Sequence, residues 1–130
     1  EEEAEKEKNK NHCNETFIKT FTKTSVEEVL SKLSYRDKCI IKKGLFPKTT
    51  EGIETSFKFV SIDVDFEEST YAALEWFYPR LVNDGIIFIH DYNEPTLHGV
   101  KKAVKRFEEK NGTLKKIPIA DKCGTLIIIK

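Results

Sequence analysis

The chain has 130 residues and a mass of 15.0 kDa, which is enough for one domain with a single hydrophobic core. Basic and acidic residues number 22 each, so the net charge is zero. Nucleic acid or an anionic membrane is therefore not expected as a partner, because both are usually bound through a basic excess. No apolar run is long enough to cross a bilayer, and the acidic N-terminus is unlike a signal peptide. The three cysteines, Cys13, Cys39 and Cys123, lack paired spacing, which favours a cytoplasmic, reducing compartment.

The first half of the chain predicts a polar tail, a helix and a strand. Residues 1–15 are polar or charged except for one alanine and one cysteine, and residues 1–23 are expected to form a flexible tail or linker before a domain at 24–130. Ser25 stands three residues before Glu28, a capping-box spacing that predicts the start of a helix. The apolar run at 39–41 predicts a short strand.

The second half predicts strands that alternate with helices. A strand at 57–64 is followed by a helix at about 70–81, a turn at 83–85 and a strand at 86–89 that is apolar on both faces. A helix at 99–111 ends at Gly112, and strands at 114–119 and 125–129 are close enough to form an antiparallel hairpin. This order predicts an α/β fold whose sheet is mostly parallel and ends in a C-terminal antiparallel hairpin.

Acidic residues follow the two central strands. Asp63 and Asp65 end the first of them, and His90 and Asp91 end the second. Because the carboxyl ends of parallel strands meet at one edge of the sheet, these side chains are expected to converge and to hold a divalent metal. Two structural alternatives remain open: Asp65 could cap the following helix, and Asp91 could form an Asx turn.

The glycines do not form a nucleotide-binding loop. All six stand alone, and no Gly-x-Gly occurs, so neither a Rossmann phosphate loop nor a P-loop is predicted.

Several segments resemble the macrocin-type (TylF-like) O-methyltransferases. They are TSVEEVLSKL (24–33), IIKKGLFPKT (40–49), FVSIDVDFEESTYAALEWFYPRLVNDGIIFIHDYN (59–93), GVKKAVKRF (99–107) and DKCGTLIIIK (121–130). The resemblance implies the C-terminal part of a Rossmann-like class I methyltransferase fold, with the first strand and its glycine-rich loop absent. It also implies metal-assisted methyl transfer from S-adenosylmethionine to a hydroxyl of a sugar or a natural-product-like small molecule.

The resemblance also implies roles for individual residues. Asp63 and Asp91 match metal-ligand aspartates, and His90 stands where many relatives have another aspartate. Mg²⁺ is the expected metal, with Mn²⁺ or another ion as the alternative because of the imidazole. Asp65 matches the general base. Gly44, Leu45 and Phe46 match a turn near the adenine of the cofactor.

Two further expectations concern the chain as a whole. Without a glycine-rich loop, the chain alone is expected to be inactive, and to self-associate or to need a missing N-terminal half. The competing hypothesis is a truncated, inactive paralogue or fragment that binds only a metal or a partner.

Overall fold

The computed structural model describes residues 25–96 and 98–130, so the tail predicted at 1–23 lies outside the described residues. The chain divides into two compact units, one that ends at Gly44 and one that spans Leu45–Lys130. Within the described ranges, no helix is both long enough and apolar enough to cross a membrane.

The first unit contains the predicted capped helix but not the predicted strand. Helix α1 (Val26–Ser31) begins after Ser25, whose hydroxyl accepts a hydrogen bond from the Glu28 N–H at 3.0 Å, so the predicted cap is confirmed. The strand predicted at 39–41 is wrong, because these residues carry no regular structure. A 3₁₀ turn at Arg36–Lys38 precedes them, and the Cys39 N–H bonds back to the Arg36 carbonyl instead of to a neighbouring strand.

The second unit is a mixed four-stranded sheet with two long helices. In chain order its elements are β1 (Phe57–Ile62), α2 (Glu67–Arg80), β2 (Leu81–Ile89), α3 (His98–Asn111), β3 (Lys115–Pro118) and β4 (Leu126–Ile129). The strand order is β1-β2-β4-β3. Only β1 and β2 pair in parallel, whereas β4 is antiparallel to both β2 and β3. The antiparallel hairpin is confirmed, but the expectation of a mostly parallel sheet is wrong, because two of the three described strand pairings are antiparallel.

Element boundaries differ from the predictions near the central strands. Helix α2 begins at Glu67, three residues early, and Pro79 lies in its last turn. Strand β2 begins at Leu81, so the turn predicted at 83–85 is instead an irregularity within the strand. The pairing register shifts there between Phe57 and Phe59, and the Lys58 ammonium donates to the Asn83 and Asp84 carbonyls at 3.4 and 3.0 Å.

The core lies between the sheet and the two helices α2 and α3. Its fully buried side chains come from both layers: Leu74, Ile87, Ile89, Val100, Val104, Phe107, Leu126 and Ile128. The helices also contact each other where the ring of Phe107 in α3 makes T-shaped contacts with the rings of Tyr71 and Tyr78 in α2. This packing fixes the start of α2, and with it the segment that connects β1 to α2, at the carboxyl end of the parallel strands.

Candidate functional site

The carboxyl ends of β1 and β2 are adjacent, as the βαβ connection requires. Ile62 and Ile89 are paired across the two strands, and the His90 N–H donates to the Ile62 carbonyl at 2.9 Å. Asp63 and Asp65 follow the first strand and Asp91 follows the second, so acidic side chains leave the sheet at one point.

Three carboxylates meet there. Asp63, Asp65 and Asp91 each offer one oxygen, and these oxygens all lie within 4.8 Å of one another. Asp63 is exposed, and the other two are partly buried. Asp65 and Asp91 have φ of 52° and 56°, in the left-handed region that aspartate tolerates better than most residues do. We call this group the three-aspartate cluster.

The cluster makes Asp65 a weaker acid than an ordinary aspartate. The pKa of Asp65 is raised from 3.8 to about 6, first by burial, then by the negative charges of Asp91 and Asp63 and by a hydrogen bond with Asp91. Like charges at this separation repel each other, and either a proton or a cation would relieve the repulsion. The arrangement therefore favours cation binding and also yields an unusually basic carboxylate.

The structural alternatives do not account for these aspartates. The N-cap of α2 is Phe66, with no side-chain capping bond, so Asp65 does not cap the helix. The turn after β2 is closed by the main-chain bond from the Glu94 N–H to the Asp91 carbonyl at 3.1 Å, so the turn does not require the Asp91 side chain.

His90 is not part of the cluster. The predicted ligand set contained His90, whereas the structure brings Asp65 to Asp63 and Asp91 instead. The His90 N–H continues the hydrogen bonding between β2 and β1, and the His90 side chain is exposed. The backbone then turns at Asp91, which has a positive φ. Its charge acts on Asp121, whose pKa is lowered chiefly by hydrogen bonds from Thr125 and only weakly by His90.

A second group, which the sequence did not predict, shares Asp91. Glu94 and the thiol of Cys123 offer ligand atoms within 4.8 Å of each other and of Asp91. A hydrogen bond to Asp91, burial and the charge of Asp91 raise the pKa of the Cys123 thiol, so the sulfur remains a protonated donor to the aspartate. Because Glu94 follows Asp91 by only three residues, the sequence could have indicated it as a further ligand. Cys123 comes from the β3–β4 loop, and no sequence pattern links it to Asp91.

For the residues predicted to lie near adenine, the structure describes the packing of Phe46 and the exposure of Leu45. Phe46 stacks on Phe77 with ring centres 5.8 Å apart, and it meets Trp76 edge-on at 6.2 Å. Leu45 is 55% exposed, and Gly44 belongs to the other compact unit. Cofactor binding by these residues stays a prediction.

The donor set of the three-aspartate cluster fits a hard divalent cation. All three ligand atoms are carboxylate oxygens, which Mg²⁺, Mn²⁺ and Ca²⁺ prefer, and no imidazole or thiolate is among them. Exposed Asp63 leaves one side of the cluster open to a further ligand.

These observations define the class of the protein: an α/β domain with an acidic site at the carboxyl ends of its parallel strands. The family profile described as macrocin-O-methyltransferase (TylF) matches residues 1–127, and the chain belongs to this family. No curated protein gives a significant match.

Among solved structures, the chain is similar to the apo structure of CalS11, a TDP-rhamnose 3′-O-methyltransferase of calicheamicin biosynthesis. The identity is 19% and the TM-score is 0.49, over 58% of this chain and 32% of that enzyme. The chain thus spans about a third of the length of this structural neighbour.

Proposed function

We propose that this chain is part of an S-adenosylmethionine-dependent O-methyltransferase that methylates a hydroxyl of a sugar or natural-product-like small molecule. Membership of the macrocin O-methyltransferase family supports the reaction class. The single observation that carries the site is the convergence of Asp63, Asp65 and Asp91 at the ends of β1 and β2.

Asp63 and Asp91 would hold a divalent cation, with Mg²⁺ as the first choice for an all-oxygen donor set. When bound, such an ion lowers the pKa of an acceptor hydroxyl and orients its oxygen. The open side of the cluster at exposed Asp63 gives the hydroxyl room to approach.

Asp65 would act as the general base. Its carboxylate oxygen lies within 4.8 Å of those of Asp63 and Asp91, so it would stand beside a hydroxyl oriented by a cation at those two residues. When bound, S-adenosylmethionine would supply the methyl group to the acceptor oxygen, with its sulfonium sulfur as the leaving group. The hydroxyl proton would pass to the Asp65 carboxylate.

Label transfer tests the proposal. The longest gene product that contains this sequence is incubated with S-adenosylmethionine labelled in its methyl group, Mg²⁺ and a panel of glycosides and nucleoside diphosphate sugars. We expect a labelled acceptor, and a loss of roughly 10²–10⁴-fold in kcat for Asp65→Asn, the usual range for removal of a general base. Asp84→Asn, at an exposed aspartate that belongs to neither group of ligand atoms, is the matched control and should retain activity.

Two results would count against the assignment. Unchanged kcat in Asp65→Asn would remove its role as base. Cation binding without label transfer to any acceptor would support the competing hypothesis of an inactive metal-binding module.

A further inference from the structure

A basic pocket lies beside the segment that follows the three-aspartate cluster. It has a volume of about 500 Å³ and is lined by Tyr92, residues of α3 and one residue of β3. Four of its lining side chains are lysines and one is a carboxylate: Lys101, Lys102, Lys105, Lys116 and Glu108. We call it the lysine pocket.

The carboxylate in the pocket is already engaged. Glu108 pairs with Lys116 and also accepts a hydrogen bond from the Leu114 N–H at 3.1 Å. These bonds lower the pKa of Glu108 against the opposing effect of burial, so it stays ionised and committed to Lys116.

The remaining cations have only weak partners. Lys101 donates to the neutral Asn93 side chain at 3.2 Å, and Lys105 lies 3.8 Å from Glu109, an exposed pair that contributes little. Lys102 forms no ion pair within the described residues. Three ammonium groups therefore face one pocket with little to neutralise them, although the whole chain is neutral.

The position of the lysine pocket ties it to the cluster. Tyr92 directly follows Asp91, so the two Cα atoms are about 3.8 Å apart. The Lys101 ammonium lies 5.4 Å from the centre of the Tyr92 ring, above the segment that connects the acidic site to α3. A ligand whose anionic group sits among the lysines can thus extend along Tyr92 towards the aspartates.

We propose that the lysine pocket binds the phosphate or diphosphate of the acceptor, so that the substrate is a phosphorylated or nucleotide-linked sugar. Phosphate oxygens are strong acceptors for lysine ammonium groups, and Tyr92, which lines the pocket, is the neighbour of Asp91 in the chain. The inference rests on the proposed function, since it places the acceptor hydroxyl at the three-aspartate cluster.

Calorimetric titration of the full chain with inorganic pyrophosphate, glucose 1-phosphate, UDP-glucose and glucose tests this proposal. EDTA is present throughout, so that no cation at the aspartates can recruit the ligand. The test variant is Lys102→Gln/Lys105→Gln, which leaves the Lys116–Glu108 pair intact. The control is Lys48→Gln/Lys115→Gln, which removes the same charge from exposed positions outside the pocket.

We expect saturable binding of pyrophosphate and UDP-glucose, and none of glucose. The pocket variant should bind both phosphate ligands roughly tenfold or more weakly, because charge-assisted hydrogen bonds are lost, while the control changes less than about twofold. No saturation, or equal weakening in both variants, would overturn the proposal. Binding of pyrophosphate but of neither glucose 1-phosphate nor UDP-glucose would also overturn it, since the pocket would then hold a free anion rather than a substrate. Metal binding at the aspartates is measured separately, so these failures would leave the proposed function standing.

Discussion

At the scale of single residues, Asp65 is held where its charge opposes folding. Its pKa is about 6 in the folded chain against 3.8 for the ordinary group, because it is partly buried and lies beside two other carboxylates. Ionisation is therefore easier in the unfolded chain. The resulting loss of stability is absent below about pH 4, grows as the pH rises towards 6 and is complete above that.

Asp65→Asn should consequently stabilise the metal-free chain at neutral pH. Asparagine keeps the shape of the side chain and tolerates the left-handed backbone, but it carries no charge. The gain should be about 1 kcal/mol at pH 7.5, a figure reduced for solvent screening because the group is only half-buried. Thermal melts in EDTA should show this gain shrinking towards zero near pH 4.

Asp121→Asn provides a control of opposite sign. Hydrogen bonds from Thr125 lower the pKa of Asp121, so this variant should reduce stability at neutral pH and matter less as the pH falls. If Asp65→Asn lowered the melting temperature equally at pH 7.5 and near pH 4, the electrostatic account of the cluster would be wrong.

At the scale of elements, the position of the cluster depends on a close approach between α2 and α3. A Cβ atom on Gly99 would lie 2.7 Å from the main-chain nitrogen of Glu67, so glycine is needed for α3 to reach the first turn of α2. Glu67 follows Asp65 by two residues. The Arg106–Glu68 pair at 2.9 Å supports the same contact.

Gly99→Ala should force the two helices apart. Overpacking of this kind costs about 1–3 kcal/mol, more than the helix propensity gained from alanine. Urea denaturation should show a lower midpoint. Lys105→Ala, an exposed change on the same helix, should shift the midpoint little. Unchanged stability in Gly99→Ala would show that the helices are less closely packed than described.

The elements also show which parts of the fold can be predicted from sequence patterns. Helix α3 and the last hairpin were predictable because periodicity and turn residues act locally, and the acidic site followed from the rule that parallel strands end at one edge. Residues 39–41 were misassigned because a short apolar run does not reveal whether a partner strand lies beside it. The contact of Cys123 with Asp91 joins distant segments, so only the folded chain brings it about.

At the scale of the whole molecule, the two edges of the described sheet differ. The β3 edge carries Lys115, Lys116 and Pro118, which discourage pairing with another strand. The β1 edge contains no proline, and Phe59 on it is 56% exposed. Among the described residues, β1 is therefore the edge that favours association with a second copy.

We predict that the 130-residue chain self-associates through β1. Light scattering should give a mass above that of a monomer, and Phe59→Lys should shift the population towards monomer, because a charge on an edge strand opposes pairing. Ile117→Lys on β3, at a side chain of similar exposure (54%), is the matched control and should leave the association unchanged. A monodisperse monomer at all concentrations would contradict this prediction.

Titration of the chain with Mn²⁺ tests most directly the central claim that the ends of β1 and β2 form a cation site. We predict one saturable site per chain that is lost in Asp63→Asn and in Asp91→Asn but kept in Glu94→Gln, because Glu94 is outside the three-aspartate cluster. Non-saturating heats in the unsubstituted chain, or binding that survives Asp63→Asn but disappears in Glu94→Gln, would contradict the account.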